Sequence, residues 1–275
     1  MELYDRVSQD IARLTMLRYS TSFGLSSRLF DAGMRGHIFN VYGLVRIADE
    51  VVDTYMGDDA PGLLTELETQ TYAALKSGYS TNPIVHAFAL TAREYGIGRD
   101  LIKPFFASMR MDLTPQHYDH KLYRQYIHGS AEVVGLMCLK VFVGGDKEQY
   151  AELAPGAARL GAAFQKVNFL RDLAADSQDL GRFYFPGYTL ATFDEEAKLA
   201  VIDDIRQDFA EAVPALRRLP RTVRRAVGLS ATYYLELLHK LDSTPIEVIK
   251  QSRLRVKPGR KLALMAQALL KEPRR

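Results

Sequence analysis

Two stretches of the sequence carry pairs of acidic residues at the spacing of one helix face. The stretches are VYGLVRIADEVVD (41–53) and FQKVNFLRDLAAD (164–176), and their paired aspartates are Asp49, Asp53, Asp172 and Asp176. Residues four apart lie on the same side of a helix, where like charges repel each other. Because both pairs lie among apolar residues, the repulsion needs a cation to offset it. Mg²⁺ is a hard cation that prefers carboxylate oxygens and substrate phosphates, so the sequence predicts a magnesium site.

Each aspartate pair continues a longer polar stripe along its helix. The stripes consist of Tyr42, Arg46, Asp49 and Asp53, and of Gln165, Asn168, Asp172 and Asp176. Asn168 offers a neutral oxygen ligand, and the planar guanidinium groups of Arg46 and Arg171 suit phosphate oxygens. A single Asp-x-x-x-Asp pair is typical of a solvated helix face. Two copies, each with a neighbouring arginine, favour two helices that face each other across a cavity.

Such a cavity would have a charged end that binds metal and diphosphate, and an apolar remainder. It suits a ligand with a diphosphate head and a long hydrocarbon tail. Mg²⁺ and arginines stabilise the negative charge that develops on a departing diphosphate. Aromatic walls would shield the allylic cation left behind and attract it by cation–π contact.

The apolar pattern predicts the elements that must position these residues. Apolar residues recur at three and four positions along most of the chain, which indicates an all-α protein. Turn signals separate the segments, and no Ser/Pro-rich linker divides them. We therefore expect one helical domain over residues 1–275, built as a bundle. The predicted helices are 2–18, 34–56, 61–77, 82–95, 99–112, 119–143, 147–177, 194–212, 220–242 and 258–271, with turns at 57–62, 96–98, 113–115, 144–146 and 185–188.

Composition and charge exclude several classes of protein. Apolar residues make up 47% and charged residues 25% of the chain, as in ordinary globular proteins. The single cysteine, Cys138, permits no disulfide framework, so we expect a cytoplasmic protein with Cys138 in the core. Neither a signal peptide nor an apolar run of membrane-spanning length is recognisable. The segment 250–275 holds nine Lys or Arg and one Glu, which makes it a candidate contact with an anionic surface.

In order and spacing, these motifs resemble those of the squalene/phytoene synthase family, whose members join two prenyl diphosphates head to head. The first family motif is present as Arg46, Asp49, Glu50 and Asp53. The second is present as Asn168, Arg171, Asp172 and Asp176, followed by Arg182, Tyr184 and Pro186. Near the start, YSTSF (19–23) is similar to a short family segment. The resemblance implies a helical bundle of the isoprenoid synthase type with a central apolar cavity.

The resemblance also implies a role for individual residues. Mg²⁺, or Mn²⁺ in its place, would be held by Asp49, Asp53, Asn168, Asp172 and Asp176. Contacts with the diphosphates would come from Ser20, Arg46, Arg171, Arg182 and Tyr234. Tyr42, Gln165 and Phe23 would lie near the reacting carbons, and Arg255 with Lys257 would close over the site.

The segment GSAEVVGLMCLKVF (129–142) resembles the corresponding segment of bacterial phytoene synthases, although His128 and Glu132 depart from the usual family pattern. The expected reaction is condensation of two geranylgeranyl diphosphates to phytoene through a cyclopropyl diphosphate, with no NADPH. The alternative is a C30 squalene or dehydrosqualene synthase that uses farnesyl diphosphate.

Two further classes are weaker alternatives. A non-catalytic helical assembly protein would be expected to have lost at least one of the four aspartates. A nucleic-acid binder is disfavoured because the basic segment 250–275 contains no aromatic residue. Because substrate and product are both lipids, we expect peripheral attachment to the inner face of a membrane. The sequence makes no prediction of the oligomeric state.

Overall fold

The computed structural model describes residues 1–55, 57–114, 117–178 and 180–270, with side chains through residue 268. Within these ranges the chain is helical, and no β-strand occurs; His117 and Phe183 form one isolated bridge. The helices are α1 (Glu2–Tyr19), α2 (Thr21–Ser26), α3 (Ala32–Asp49), α4 (Ala60–Ser77), α5 (Pro83–Tyr95), α6 (Arg99–Met111), α7 (His120–Ile127), α8 (Val133–Phe142), α9 (Lys147–Gln178), α10 (Glu195–Arg218), α11 (Arg221–Asp242), α12 (Ile246–Ile249) and α13 (Pro258–Leu270).

The predicted all-α class is confirmed, and the main differences concern helix ends. The prediction that α10 ends at residue 212 is wrong, because the helix continues through Pro214 to Arg218. Proline inside a helix removes one hydrogen bond and crowds the carbonyl four residues earlier, at a cost of about 3 kcal/mol, and the packing of α10 along α9 outweighs that cost. The short helices α2 and α12 were not predicted. Three predicted positions, Met56 and Lys271 at helix ends and Pro115 in a turn, lie outside the described residues.

The long helix α9 lies at the centre of the packing. It is antiparallel to α10, and ion pairs join the two, with Lys166 Nζ 2.6 Å from Asp208 Oδ2 and Arg159 Nε 2.8 Å from Glu211 Oε2. Its opposite side packs on α8 and α11. Helices α1, α3 and α5 form a neighbouring layer. Between these groups lies an apolar cavity.

Two π-helical turns interrupt the regular helices, and Ser130 and Ala131 of the second line the cavity. The turn Glu50–Thr54 extends α3 and carries Asp53, and the turn His128–Glu132 joins α7 to α8. A π turn inserts one extra residue per turn and is frequent at functional sites. In the second turn, His128 Nδ1 lies 2.8 Å from Glu132 Oε2. The two residues that depart from the family pattern therefore pair with each other.

Gly129, in the second π turn, has no room for a side chain. A Cβ there would overlap the carbonyl oxygen of Pro104 and the hydroxyl of Ser108 on α6. We expect Gly129→Ala to lower the free energy of unfolding by about 2 kcal/mol, because overpacking a close contact costs 1–3 kcal/mol. Gly228→Ala on α11 is the matched control: nothing lies within 4 Å of its Cβ position, so it should be neutral or stabilising. Equal urea midpoints for the two variants would contradict the close approach.

None of the helices in the described residues is long and apolar enough to cross a membrane. The extent of the domain, residues 1–275, stays a prediction.

Candidate active site

The first acidic motif lies at the end of α3, where α3 passes into its π turn. Asp49 is half-buried, and burial together with the neighbouring Asp53 raises the pKa of its carboxyl to about 8. Arg46, one turn earlier, forms an ion pair with Glu50 and lies near Asp49. Its guanidinium also lies 4.4 Å from the centre of the Tyr19 ring. Glu50 thus pairs with the arginine of the motif.

The second acidic motif lies on the last turns of α9. Asp172 accepts a hydrogen bond from Arg171 Nε at 2.9 Å. It also forms an ion pair with Arg253, whose Nε lies 2.7 Å from Asp172 Oδ1. Burial and the nearby Asp172 and Asp53 raise the pKa of Asp176 to about 7. Asp176 therefore lies within electrostatic reach of Asp53 in the first motif.

Arg182 joins the two motifs directly. Its guanidinium donates to Asp53 Oδ1 at 2.6 Å and to the Val52 carbonyl at 2.6 Å. Its backbone N–H donates to the Asp176 carbonyl at 2.8 Å. The sequence placed Arg182 among the diphosphate contacts, whereas the structure gives it protein partners on both helices. Arg182 therefore holds the end of α3 against the end of α9.

Asp112, at the end of α6, is a site residue that the sequence did not indicate. It accepts hydrogen bonds from Tyr126 at 2.7 Å and Tyr184 at 3.1 Å, and its carbonyl accepts one from Arg182 at 2.8 Å. Burial raises its pKa to about 6, against the opposing effect of Arg182. A single acid at a predicted helix end gives no signal in one sequence. The Tyr184 and Arg182 partners were already visible in the second motif.

An apolar cavity of about 260 Å³ lies along α9, and Asn168 of the second motif is part of its lining. Gln165, Asn168 and Tyr234 line one end, where Tyr234 stacks on Phe164 with ring centres 4.0 Å apart. The far end is lined by Phe30, Phe142, Leu153 and Leu219, with Phe30 and Phe142 stacked at 5.4 Å. Along α9, the cavity therefore runs from the second acidic motif to the start of the helix.

The other predicted residues lie near the polar end of the cavity. The Gln165 amide donates to Ser130 Oγ at 3.3 Å, and the Phe23 ring lies 5.9 Å from that of Tyr234. Ser20 is the N-cap of α2, where its hydroxyl accepts a hydrogen bond from the Phe23 N–H at 3.2 Å. Tyr42 is half-buried beside Arg46 and Asp49, and burial raises its pKa to about 12.

Cys138 lines the middle of the cavity. Burial raises the pKa of its thiol to about 12, so the thiol is protonated at neutral pH and is a poor nucleophile.

The basic segment after α12 approaches the site through a different residue from the predicted one. Arg253 reaches Asp172, whereas within the described part of the chain the side chains of Arg255 and Lys257 bond to neither motif; the Arg255 carbonyl accepts a hydrogen bond from Lys240 at 3.0 Å. Lys261 donates to Thr21 Oγ1 at 2.9 Å, which ties α13 to α2. Arg171 and Arg255 help to lower the pKa of Lys261, after burial as the main cause. Arg171, Arg253, Arg255 and Lys261 thus form one cationic patch beside Asp172.

The donor set fits a hard divalent cation. Asn168 Oδ1 is buried and has no hydrogen-bond partner among the described residues, which is the state expected of an oxygen reserved for a ligand. No three carboxylate, histidine or cysteine side chains converge on one point in the described part of the chain. Arginines 171, 182 and 253 instead neutralise Asp53 and Asp172.

Comparison with solved structures defines the class of fold. The chain superposes on a dehydrosqualene synthase with a TM-score of 0.82, at 19% identity and over 96% of each chain. It superposes on a squalene synthase from Alicyclobacillus acidocaldarius with a TM-score of 0.76, at 21% identity, over 92% of this chain and 97% of the other. The helical fold is that of the isoprenoid synthases.

Comparison of sequences then identifies the family. Residues 16–260 match the squalene/phytoene synthase family, so the chain belongs to that family and is a prenyltransferase that joins prenyl chains head to head. It is 28% identical to a 15-cis-phytoene synthase of Enterobacter agglomerans, over 82% of this chain and 75% of the relative. It is 26% identical to a 15-cis-phytoene synthase of Synechococcus elongatus, over 98% of this chain and 93% of the relative.

Proposed function

We propose that the protein condenses two molecules of geranylgeranyl diphosphate to phytoene through a cyclopropyl diphosphate, without a reductant. The observation that carries this proposal has two parts: Gln165 and Asn168 of the second polar stripe line an apolar cavity, and Arg182 joins the helix that carries them to the first acidic motif. Relatives named phytoene synthase, which align over most of the chain, support the choice of substrate.

Each group of residues has a part in this reaction. Asp49, Asp53, Asn168, Asp172 and Asp176 would hold Mg²⁺, which neutralises charge on the departing diphosphate. Arg46 and Arg171 bind diphosphate oxygens through their planar forks. The rings of Phe23, Phe164 and Tyr234 face the allylic cation, exclude water from it and attract it electrostatically. The two hydrocarbon tails occupy the apolar cavity.

Product analysis tests this function directly. The purified protein is incubated with Mg²⁺ and either geranylgeranyl or farnesyl diphosphate, with and without NADPH, and products are identified by mass. We expect a C40 hydrocarbon with a central triene from geranylgeranyl diphosphate, formed at the same rate with and without NADPH. A C30 product formed faster from farnesyl diphosphate would refute the choice of substrate and favour the squalene or dehydrosqualene alternative.

The raised pKa values of the acidic motifs predict how stability depends on pH. Asp49 titrates at about 8 and Asp176 at about 7 in the folded protein, against about 3.9 in an unfolded chain. Between these values the folded state binds more protons than the unfolded state, so metal-free stability should fall as the pH rises from about 5 to about 8.5. The melting temperature should therefore decrease as the pH is raised across this range. Adding Mg²⁺ with inorganic diphosphate should restore part of the lost melting temperature at the alkaline end.

Asp49→Asn provides the control for this pH dependence. The amide cannot ionise, so the variant should show a shallower fall in melting temperature than the unmodified protein. An equal slope in both proteins would mean that Asp49 does not titrate in this range.

Because the proposed substrate and product are lipids, we also propose that the protein works while attached peripherally to a membrane surface.

A further inference from the structure

The outer face of α1 exposes an apolar stripe that nothing in the described chain covers. Leu3, Val7 and Leu14 are 70%, 44% and 54% exposed, and they follow the four- and seven-residue spacings of one helix face. The opposite face of α1 holds the buried residues Ser8, Ala12 and Met16. The helix therefore has two distinct faces, one packed on α3 and α5 and the other open.

A groove of about 590 Å³ runs beside this stripe, between α1 and the start of α3. Four of its lining residues are arginines: Arg6, Arg13, Arg28 and Arg35. Asp10 is the acid that lines it, and it lies 3.8 Å from Arg13. Among the described residues, Arg6, Arg28 and Arg35 have no ion pair. We call this feature the arginine groove; its charge is largely free to attract an anion.

The arginine groove shares a wall with the apolar cavity. Ser27, in the turn that follows α2, lines both. Gly24 lies on the groove side of this segment, and Phe23 and Ser26 lie on the cavity side. The segment from α2 to this turn thus separates the cavity for the lipid tails from the arginine groove.

The basic residues of the segment after α12 are less available for an external anion. Arg253 pairs with Asp172, Arg260 pairs with Glu236 with Nε 2.8 Å from Oε1, and Lys261 bonds to Thr21. These side chains are engaged within the protein. Lys271, Arg274 and Arg275 lie outside the described residues.

We propose that the exposed stripe of α1 and the arginine groove together dock the protein on an anionic lipid bilayer. Apolar side chains flanked by arginines are the arrangement of helices that lie in a bilayer surface, with the apolar stripe in the acyl boundary and the arginines at the head groups. A second copy of this chain is disfavoured as the occupant because two arginine grooves would repel each other. The inference rests on the proposed function, in which lipids enter and leave the neighbouring cavity.

Vesicle sedimentation tests the docking surface with the full chain. The vesicles are either pure phosphatidylcholine or phosphatidylcholine mixed with phosphatidylglycerol. We expect binding to the mixed vesicles only, and the triple variant Arg6→Gln, Arg13→Gln, Arg28→Gln should weaken it at least about tenfold, since each arginine near an anionic surface strengthens binding several-fold. The variant Leu3→Ser, Leu14→Ser should also bind more weakly, through loss of the apolar contact.

Two matched variants serve as controls. The first control is a triple variant that removes the same charge from exposed positions on α6 and α7: Lys103→Gln, Lys121→Gln, Arg124→Gln. It should bind the mixed vesicles as tightly as the unmodified protein does. Lys271→Gln, Arg274→Gln, Arg275→Gln tests the end of the basic segment and should bind almost normally. Loss of binding in this last variant, with normal binding by the arginine-groove variant, would overturn the proposal.

Activity and mass measurements separate docking from catalysis and from self-association. With substrate dispersed in detergent, the arginine-groove variant should turn over at the unmodified rate, because none of its changed residues lies in the candidate active site. A matching loss of turnover in detergent would overturn a docking role. Equal binding to neutral vesicles, or a dimer in light scattering that Leu3→Ser, Leu14→Ser disrupts, would also overturn the proposal. If the unmodified protein binds anionic vesicles but forms no prenyl product, the proposed function fails while the docking surface stands.

Discussion

Asp49→Asn and Asp172→Asn should each lower kcat by about a thousandfold while leaving the helical fold intact. Each substitution keeps the size of the side chain but removes a charged oxygen that the proposed metal site needs. Removing one preorganised electrostatic group at a reacting centre typically costs a hundredfold to a thousandfold in rate, and a lost metal ligand belongs at the upper end. Product formation from geranylgeranyl diphosphate at saturating Mg²⁺ is the measurement.

Folding and surface charge need separate controls in this experiment. Circular dichroism should show unchanged helicity, because neither carboxylate caps a helix. Asp203→Asn is the matched control: Asp203 is exposed on α10 and, among the described residues, pairs only with Arg206 at 2.8 Å, so its loss should leave kcat unchanged. A near-full rate for either Asp49→Asn or Asp172→Asn would show that the assignment of the metal ligands is wrong.

Cys138→Phe should change which prenyl chain the protein accepts. Ser130 and Cys138 both line the cavity, and Cys138 follows Ser130 by eight residues. At the helical rise of about 1.5 Å per residue, Cys138 lies about 12 Å further from the polar end of the cavity than Ser130 does. A phenyl ring there would fill the cavity before the stacked pair of Phe30 and Phe142 at its far end. We expect kcat/KM for geranylgeranyl diphosphate to fall tenfold to a hundredfold, the cost of overpacking an apolar site by about 1–3 kcal/mol. The kcat/KM for farnesyl diphosphate, whose chain is shorter, should change much less.

The smaller substitution Cys138→Ala serves as the control for this selectivity. It removes the thiol without narrowing the cavity, and burial already keeps that thiol protonated. Both substrates should therefore react at near-unmodified rates. A Cys138→Phe variant that loses both activities equally would place the ring against the reacting end of the chains and contradict this orientation of the cavity.

Local patterns in the sequence predicted most of the helices, because helix formation depends on periodicity that a single segment contains. The predicted approach of the two acidic stripes also agrees with the structure, since Arg182 bonds to both of their helices. Contacts between distant segments were harder to predict. Arg253 rather than Arg255 reaches Asp172, because the bends between α11, α12 and α13 determine which residue of this segment faces the site. Asp112 bonds to Tyr126 and Tyr184 because of where α6 ends. No periodicity in the sequence marks a π turn, so the position of Asp53 within one was not predictable.

The bonds of Arg182 also affect when the site can form during synthesis. This one side chain fixes Asp53 and the Val52 carbonyl, 129 and 130 residues earlier in the chain. A nascent polypeptide that has not yet exposed Arg182 lacks the group that neutralises Asp53 and holds α3 against α9. The acidic pocket is therefore completed late in translation, and until then Asp53 in the emerging amino-terminal helices lacks the arginine that pairs with it in the folded protein.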